Sequence, residues 1–335
     1  MKKYLLLMVS AILINYSSFA KIWRVNNTGV TADFTTAQTA HDNASVANGD
    51  TLHFEASGLD YGTLSMSKRL IIIGNGYFLG STAANDNVDL QANTAPSFIT
   101  NLYIGSGANN SVIMGMTFNY VYIGYGGLSN NLLFRRNRVT TQFYFYSSGT
   151  TNIQVLQNYF DGNIVQNGSH TNALLDNNII IGQVTFDADD NGTFQNNVLH
   201  ATGGGYASYF TNFTLRSNIM VAGSISMTSC IVENNISGST YFGTTNGNQN
   251  NVTMSNVFTG YPTIGTTSFD GRFDLQNPGP AIGTGFGGTN CGAYGGSSPY
   301  VKSGMPTVPS IYKLSAPALI NNNSLNVTIS TKINQ

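Results

Sequence analysis

The chain has 335 residues, of which 9% are charged, against roughly 25% in an ordinary globular domain. Lys and Arg number 14 and Asp and Glu 15, a formal net charge of −1, which excludes the basic stripe that a nucleic-acid partner requires. Apolar residues make up 41% and aromatic residues 11%, which excludes a disordered chain, so the surface must be built from Asn, Thr, Ser, Gly and Tyr.

At the N-terminus, Met1-Lys-Lys precedes an apolar run from Leu5 to Ile14, and Ser18-Phe-Ala places small residues at the last and third-last positions. This is the pattern of a secretory signal peptide, residues 1–20. The run is too short to span a bilayer, and no other transmembrane candidate follows. Cleavage removes Lys2 and Lys3 and leaves 12 basic against 15 acidic side chains, a charge of −3. Export permits a disulfide, but Cys230 falls at an inward repeat position and Cys291 in a Gly-rich tail, so both are read as free.

Residues 21–25 (KIWRV) read as a first strand. Residues 33–46 carry Phe34, Ala37, Ala40, His41 and Ala44 at helical spacing, and Asn48-Gly-Asp ends them with a turn. Residues 51–55 and 70–73 are strand-like. The order is strand, amphipathic helix, Gly-Asp, strand, then KRLIIIGNG at residues 68–76. It resembles the N-terminal segment of secreted pectate-lyase-like right-handed parallel β-helices. The resemblance implies a helix capping the open end of the core. The first coil of such a solenoid exposes its apolar layer and its strand edge, and something must cover both. Residues 75–100 break the pattern and are expected to form a long loop or irregular coil.

From residue 119 a period near twenty takes over. Asn119, Asn137, Asn158, Asn178, Asn197, Asn218, Asn235 and Asn256 return at steps of 18, 21, 20, 19, 21, 17 and 21. Six residues before most of them sits another polar residue, such as Asn131, Asn152 or Asn172. Counting that residue as zero, positions +1, +3 and +8 are apolar, as in Ile153, Val155 and Phe160. Alternation with period two means strand, and a fixed period of this length means a solenoid. The expected fold is all-β, a right-handed parallel β-helix of about ten coils over residues 21–275, with an N-terminal helical cap. Asn at +6 suits a sharp left-handed bend, and stacked amides suit a hydrogen-bonded ladder up the axis. That is a structural role.

After residue 275 the period dissolves. Residues 277–285 (NPGPAIGTG) and 291–300 (CGAYGGSSPY) resemble the closing segment of many secreted bacterial β-helix proteins. Residues 276–335 are therefore expected to close the C-terminal end, with a last strand near 325–329.

Function is less legible than fold. Exposed tyrosines on a rigid sheet suit sugar rings, because apolar faces stack and nearby amides reach hydroxyls. Tyr122, Tyr144, Tyr146 and Tyr159 are the carbohydrate-binding candidates, with Tyr120 and Tyr125 beside them. The first expectation is thus a secreted or cell-surface protein that binds a polysaccharide or cell-surface glycan, or serves as an extracellular scaffold. A polysaccharide lyase or glycoside hydrolase is the alternative. Lyases of the resembled superfamily use a basic residue as the proton-abstracting base, which implies Arg216, with Asp176 and Glu233 near it on the outward +4 column. The same three residues also fit a surface ion-pair array. Asp187, Asp189 and Asp190 are candidate ligands for Ca2+, although their spacing fits no calcium loop and a solvated acidic turn explains them as well. A third reading, a self-assembling surface fibre or adhesin, follows from the low charge.

Overall fold

The computed structural model describes residues 20–80, 86–187, 189–201, 207–262, 267–316 and 325–333. Residues 1–19 of the expected signal peptide lie outside the described residues. Among the described residues no helix is long and apolar enough to cross a membrane.

In chain order the first elements are β1 (Ile22–Val25), α1 (Ala37–Asp42), β2 (Thr51–Phe54), β3 (Leu64–Met66), β4 (Ile71–Ile73) and β5 (Phe98–Ile104). They are followed by β6 (Val112–Met114), β7 (Thr117–Ile123), β8 (Leu133–Arg135) and β9 (Arg138–Phe145). Ten strands stack in the first sheet, in the order β1-β2-β4-β6-β8 and then one from each later coil, ending at Ile231–Glu233. All pair in parallel with their neighbours. The step from β1 to β2 passes through α1, which leaves about eight turns of strand rather than the ten expected. The protein is an all-β parallel solenoid with almost no helix.

The second sheet stacks β3, β5, β7 and β9 and then forks, because β9 pairs with both Tyr159–Phe160 and Asn163–Gln166 of the next coil. At the fork the chain turns at Gly162, where a Cβ would meet the carbonyl oxygen of Thr141 at 1.7 Å. Only glycine lets the two backbones approach so closely. Inward residues fill the bore. Phe134, Val155, Leu175, Leu215, Val139, Phe160, Ile180, Phe143, Ile164 and Val184 are all fully buried.

The asparagine ladder runs through Asn137, Asn158, Asn178, Asn197, Asn218 and Asn235. From Asn158 on, each Oδ1 accepts both the main-chain N–H and the Nδ2–H of the asparagine one coil earlier, as Asn178 does from Asn158 at 2.9 and 3.0 Å. Each Nδ2 also reaches a main-chain carbonyl, Val155 O in the case of Asn178. Asn119 and Asn256 lie outside this ladder. Asn119 is on the half-buried outer side, where it accepts from Thr140 Oγ1, and the ladder position of its coil is Met116, whose N–H donates to Asn137 Oδ1. At the other end the ladder closes on Asn248, thirteen residues after Asn235, while Asn256 is exposed in a 3-10 turn. The left-handed backbone is not at +6 either. It is at +5, in Arg136, Gln157, Asn177, Asn196, Ser217 and Asn234, and at several of the zero positions. The +6 amide instead points inward and stitches coils together.

Helix α1 is shorter than the expected 33–46. Thr36 caps it by accepting from Thr39 N–H, and Phe34 is drawn into a bridge with Val25. Its Ala37, Ala40 and His41 are buried against the first coil. Gln38 closes the free edge of β3, taking Ser65 N–H on Oε1 at 2.8 Å and reaching Ser65 O with Nε2 at 3.4 Å. At the far end Phe242 joins the core and Tyr241 packs on it.

Residues 284–307 do not sit across the C-terminal opening. They run back along the flank of the solenoid as a strap. Successive +5 side chains hold it. Asn234 donates to Thr284 O, Asn177 to Ala293 O and Gly295 O, Gln157 to Pro299 O, and Arg136 to Met305 O. Beneath the strap lies a second apolar layer that includes Tyr159, Ile179, Val198, Ile219, Ile236, Ala293 and Tyr300. These solenoid residues occupy position +7, facing out of the bore. Apolar residues on both faces of a strand mean that both faces are covered. The last described segment is an antiparallel hairpin of Pro309–Ser315 with Thr328–Ile333, a few residues beyond the strand expected near 325–329.

Candidate functional site

The residues expected to do chemistry are placed in three different settings. Asp176, Gln195, Arg216 and Glu233 are register neighbours on the outer side of the first sheet. Gln195 bridges Arg216 Nε at 2.8 Å and Asp176 Oδ2 at 3.0 Å, and Asn196 Nδ2 takes the other Asp176 oxygen at 3.0 Å. Burial raises the Asp176 pKa, which these amides and Arg216 only partly offset. The strap ring of Phe286 lies 4.8 Å from the Arg216 guanidinium, and Arg216 with Glu233 is not among the ion pairs of the described residues. Asp176 and Arg216 thus stand in a hydrogen-bonded row at the edge of the strap, joined through Gln195, with both Asp176 oxygens committed to neighbouring amides.

The acidic turn is a structural cap. Asp190 is buried and accepts His170 N–H at 2.7 Å and Asp187 N–H at 3.0 Å, and Asp187 Oδ1 takes Asp189 N–H. Among the described residues no group of three His, Cys, Asp or Glu side chains is arranged to hold a metal ion. His170 and His200 are buried.

These groups fix a pH dependence. Burial pushes both histidines down to about 4 from the ordinary 6.5. The unfolded chain protonates each as pH falls through 6.5 and the folded chain resists, so stability drops by on the order of 2 kcal/mol per histidine between pH 7 and 5. Asp190 works in the opposite sense. Burial raises it to about 6, so its contribution is present below its unfolded value and lost as pH rises through 6. Two histidines outweigh one aspartate over this window. The urea midpoint is expected to fall between pH 7 and pH 5, and His200→Leu is expected to remove most of that fall, since Asp190 offsets much of what His170 alone would lose.

The tyrosines form an assembly at the protein surface. Tyr103 of β5, Tyr122 of β7 and Tyr144 of β9 are register partners. Their rings stack with centroids 4.9 and 4.8 Å apart and planes within 19° and 9°. Tyr120 packs at 6.2 Å from Tyr122, and the exposed Tyr125 and Tyr146 lie 5.1 Å apart beside the column. Tyr144 OH donates to Gln142 Oε1. Partial burial among the rings raises the pKa of Tyr122 and Tyr144, so the hydroxyls stay protonated donors. Tyr159 is not part of this face. It is buried under the strap, edge-on to Phe78 at 4.8 Å.

The column ends at α1. A cleft of about 380 Å³ opens there, lined by Gln38 and Asp42 of α1, Ser65 and Ser67, and Tyr103 and Tyr125. Hydrogen bonds from His41 and Gln38 hold the Asp42 carboxyl below its usual range. The His41 ring is committed, with Nδ1 on Asp42 Oδ1 at 2.7 Å and Nε2 accepting Ser67 N–H at 3.0 Å. Tyr103 was legible but missed, since Tyr103-Ile-Gly repeats as Tyr122-Ile-Gly one coil later. Also missed was a second polar cleft, of about 570 Å³, lined by Asn26, His53, Glu55 and Asn75. There Glu55 pairs with Arg24.

Comparison of the chain with protein-family models, with curated proteins and with solved structures found no match.

Proposed function

We propose that the protein is an exported β-helix of the pectate-lyase-like kind that binds a cell-surface or extracellular glycan through the tyrosine face. The observation that carries this reading is the solvent-facing group of six rings, Tyr103, Tyr120, Tyr122, Tyr125, Tyr144 and Tyr146. Aromatic rings on a surface with so few charges supply apolar stacking area, and their hydroxyls and nearby amides supply directional hydrogen bonds. The rigid parallel stack fixes ring spacing before any ligand arrives, which lowers the ordering cost of binding. Export is supported by the residue pattern of the N-terminal twenty positions.

The test is titration of a retained glycan against single variants. Tyr125→Ala is expected to weaken binding about tenfold, the effect of losing one central aromatic anchor. The same change should leave the urea midpoint within experimental scatter, because Tyr125 is exposed. Unchanged affinity in Tyr125→Ala and Tyr122→Ala would sink the reading.

A second reading, polysaccharide cleavage, rests on the cleft around His53. Burial lowers the His53 pKa, so the ring is a neutral acceptor at pH 7. Burial alone would raise Glu55, but Arg24 and Asn26 outweigh it and keep the carboxylate ionised. Cleavage there requires new reducing or unsaturated ends from an incubated polysaccharide, lost in both His53→Ala and Glu55→Gln. Product formation that survives both changes would remove this cleft from consideration.

A further inference from the structure

We infer that the tyrosine face recognises the end of a glycan chain, and that the cleft between α1 and Tyr103 takes the terminal, uncharged sugar ring. This rests on the carbohydrate reading above and adds where on the face a ring can lie flat.

In a parallel stack each inner ring spends its two faces on its neighbours. Tyr122 is sandwiched by Tyr103 and Tyr144 at 4.9 and 4.8 Å, so it offers solvent an edge and a hydroxyl. Flat faces remain at the two ends of the column. At the α1 end, the register partner of Tyr103 is Ser65, whose side chain is short and exposed. The fourth ring of the column is in effect missing. What a ring there would have filled is the open cleft, with Tyr103 and Tyr125, tilted at 43° and 4.6 Å apart, as its aromatic walls. Its volume sits at the small end of ligand-pocket sizes.

The opposite wall is polar and fixed. Asp42 Oδ1 holds His41 Nδ1 and Gln38 Nε2, and among the described residues its Oδ2 has no hydrogen-bonding partner. An ionised oxygen facing an aromatic surface suits a sugar ring whose hydroxyls donate while its C–H face stacks. The same charge disfavours a uronate, since like charges there would repel. Lys68 adds a positive charge near Asp42, but it does not line the cleft, and its Nζ is held away from a ligand there by the carbonyls of His41, Asn43 and Val46.

The cleft is also a dead end along the column. β3 is the first strand of the second sheet on this side, and the Gln38 amide seals its edge. A chain lying along Tyr144, Tyr122 and Tyr103 meets α1 one step later. Only a terminal residue fits that position.

The test uses the full mature chain on a panel of cellulose, chitin, laminarin, mannan, xylan, starch and polyuronate type, and then whichever neutral member it retains. The first arm compares inhibition by the intact polysaccharide and by its partial hydrolysate at equal mass. End recognition requires potency to rise in proportion to the number of chain ends. The second arm is Ser65→Tyr, which adds the missing ring at an exposed strand position and fills the cleft. Retention is expected to fall at least about tenfold, with the thermal midpoint unchanged. Potency that is flat with chain length, or full retention by Ser65→Tyr while Tyr122→Ala loses it, would overturn end recognition and leave the carbohydrate reading intact. Retention only on polyuronates would overturn the neutral-sugar assignment. Retention of the wild type on nothing would overturn both.

Discussion

Asn178→Leu is expected to destabilise the protein by about 4 kcal/mol, since two to three buried polar groups are left unpaired at about 1–3 kcal/mol each. The amide is fully buried. Its Oδ1 takes the N–H and Nδ2–H of Asn158, and its Nδ2–H groups reach Val155 O and Asn197 Oδ1. Leucine matches the volume but none of these contacts. The penalty falls on Asn158, whose main-chain N–H and Nδ2–H both lose the Asn178 Oδ1 acceptor. Asn119→Leu and Asn256→Leu are the controls. Both belong to the same sequence period, but neither is in the ladder, and each is expected to change stability by no more than about 0.5 kcal/mol. Urea unfolding of the three variants separates a structural ladder from a mere compositional bias. Equal effects at positions 119 and 178 would contradict the ladder.

Asp270→Ala should release the strap while the bore stays folded. Asp270 is fully buried and collects four donors, Asn87 Nδ2 at 2.8 Å, Gly271 N at 2.9 Å, Ser303 N at 2.7 Å and Tyr300 OH at 3.3 Å. Two of the four come from the strap. Tyr300 OH is further tied to Tyr77 OH at 2.7 Å. Alanine strands these donors in a dry site, at a cost of about 3–5 kcal/mol. In a solenoid each coil is held chiefly by its neighbours, so the loss is expected to stay local. Hydrogen exchange should accelerate at residues 298–305 and at Tyr77, while residues 153–160 on the inner ladder keep their protection. Uniform loss of protection along the chain would mean that strap and bore fold as one unit.

The period was legible because it rests on two strong local signals. Alternating apolar residues at +1, +3 and +8 fix the strand faces, and a recurrent buried amide at +6 stitches successive coils together. The ends of the ladder were misread for a physical reason. The step from Asn119 to Asn137 is 18 residues, whereas a step of 21 back from Asn137 lands on Met116, where the ladder in fact begins. The long strand β7 placed an outward asparagine nearby. At the other end the last coil is shortened by its closing loop, so the ladder stops at Asn248.

The strap was not read at all, although its trace is present. Tyr159, Ile179, Val198 and Ile219 make position +7 apolar next to an apolar +8, which a half-exposed strand does not do. That double row required a cover, and the Gly-rich tail was the available one. Gly292 shows why its composition is so biased, since a Cβ there would meet Ile219 Cδ1 at 2.5 Å. Reading +7 correctly would also have removed Tyr159 from the sugar-binding candidates. The tyrosine column was legible from Tyr122 and Tyr144, but its end at Tyr103 and the cleft under α1 depend on register between coils, which no single coil displays.

The decisive measurement is retention of the wild type and of Tyr122→Ala on immobilised neutral and acidic polysaccharides. Tyr122 is the ring that contacts each of the other five, so its loss should disrupt the face without unfolding the sheet. Retention of the wild type on a neutral glycan, lost in Tyr122→Ala at an unchanged urea midpoint, is the expected result. Equal retention of the two proteins, or retention of neither, would contradict a carbohydrate-binding role for the tyrosine face.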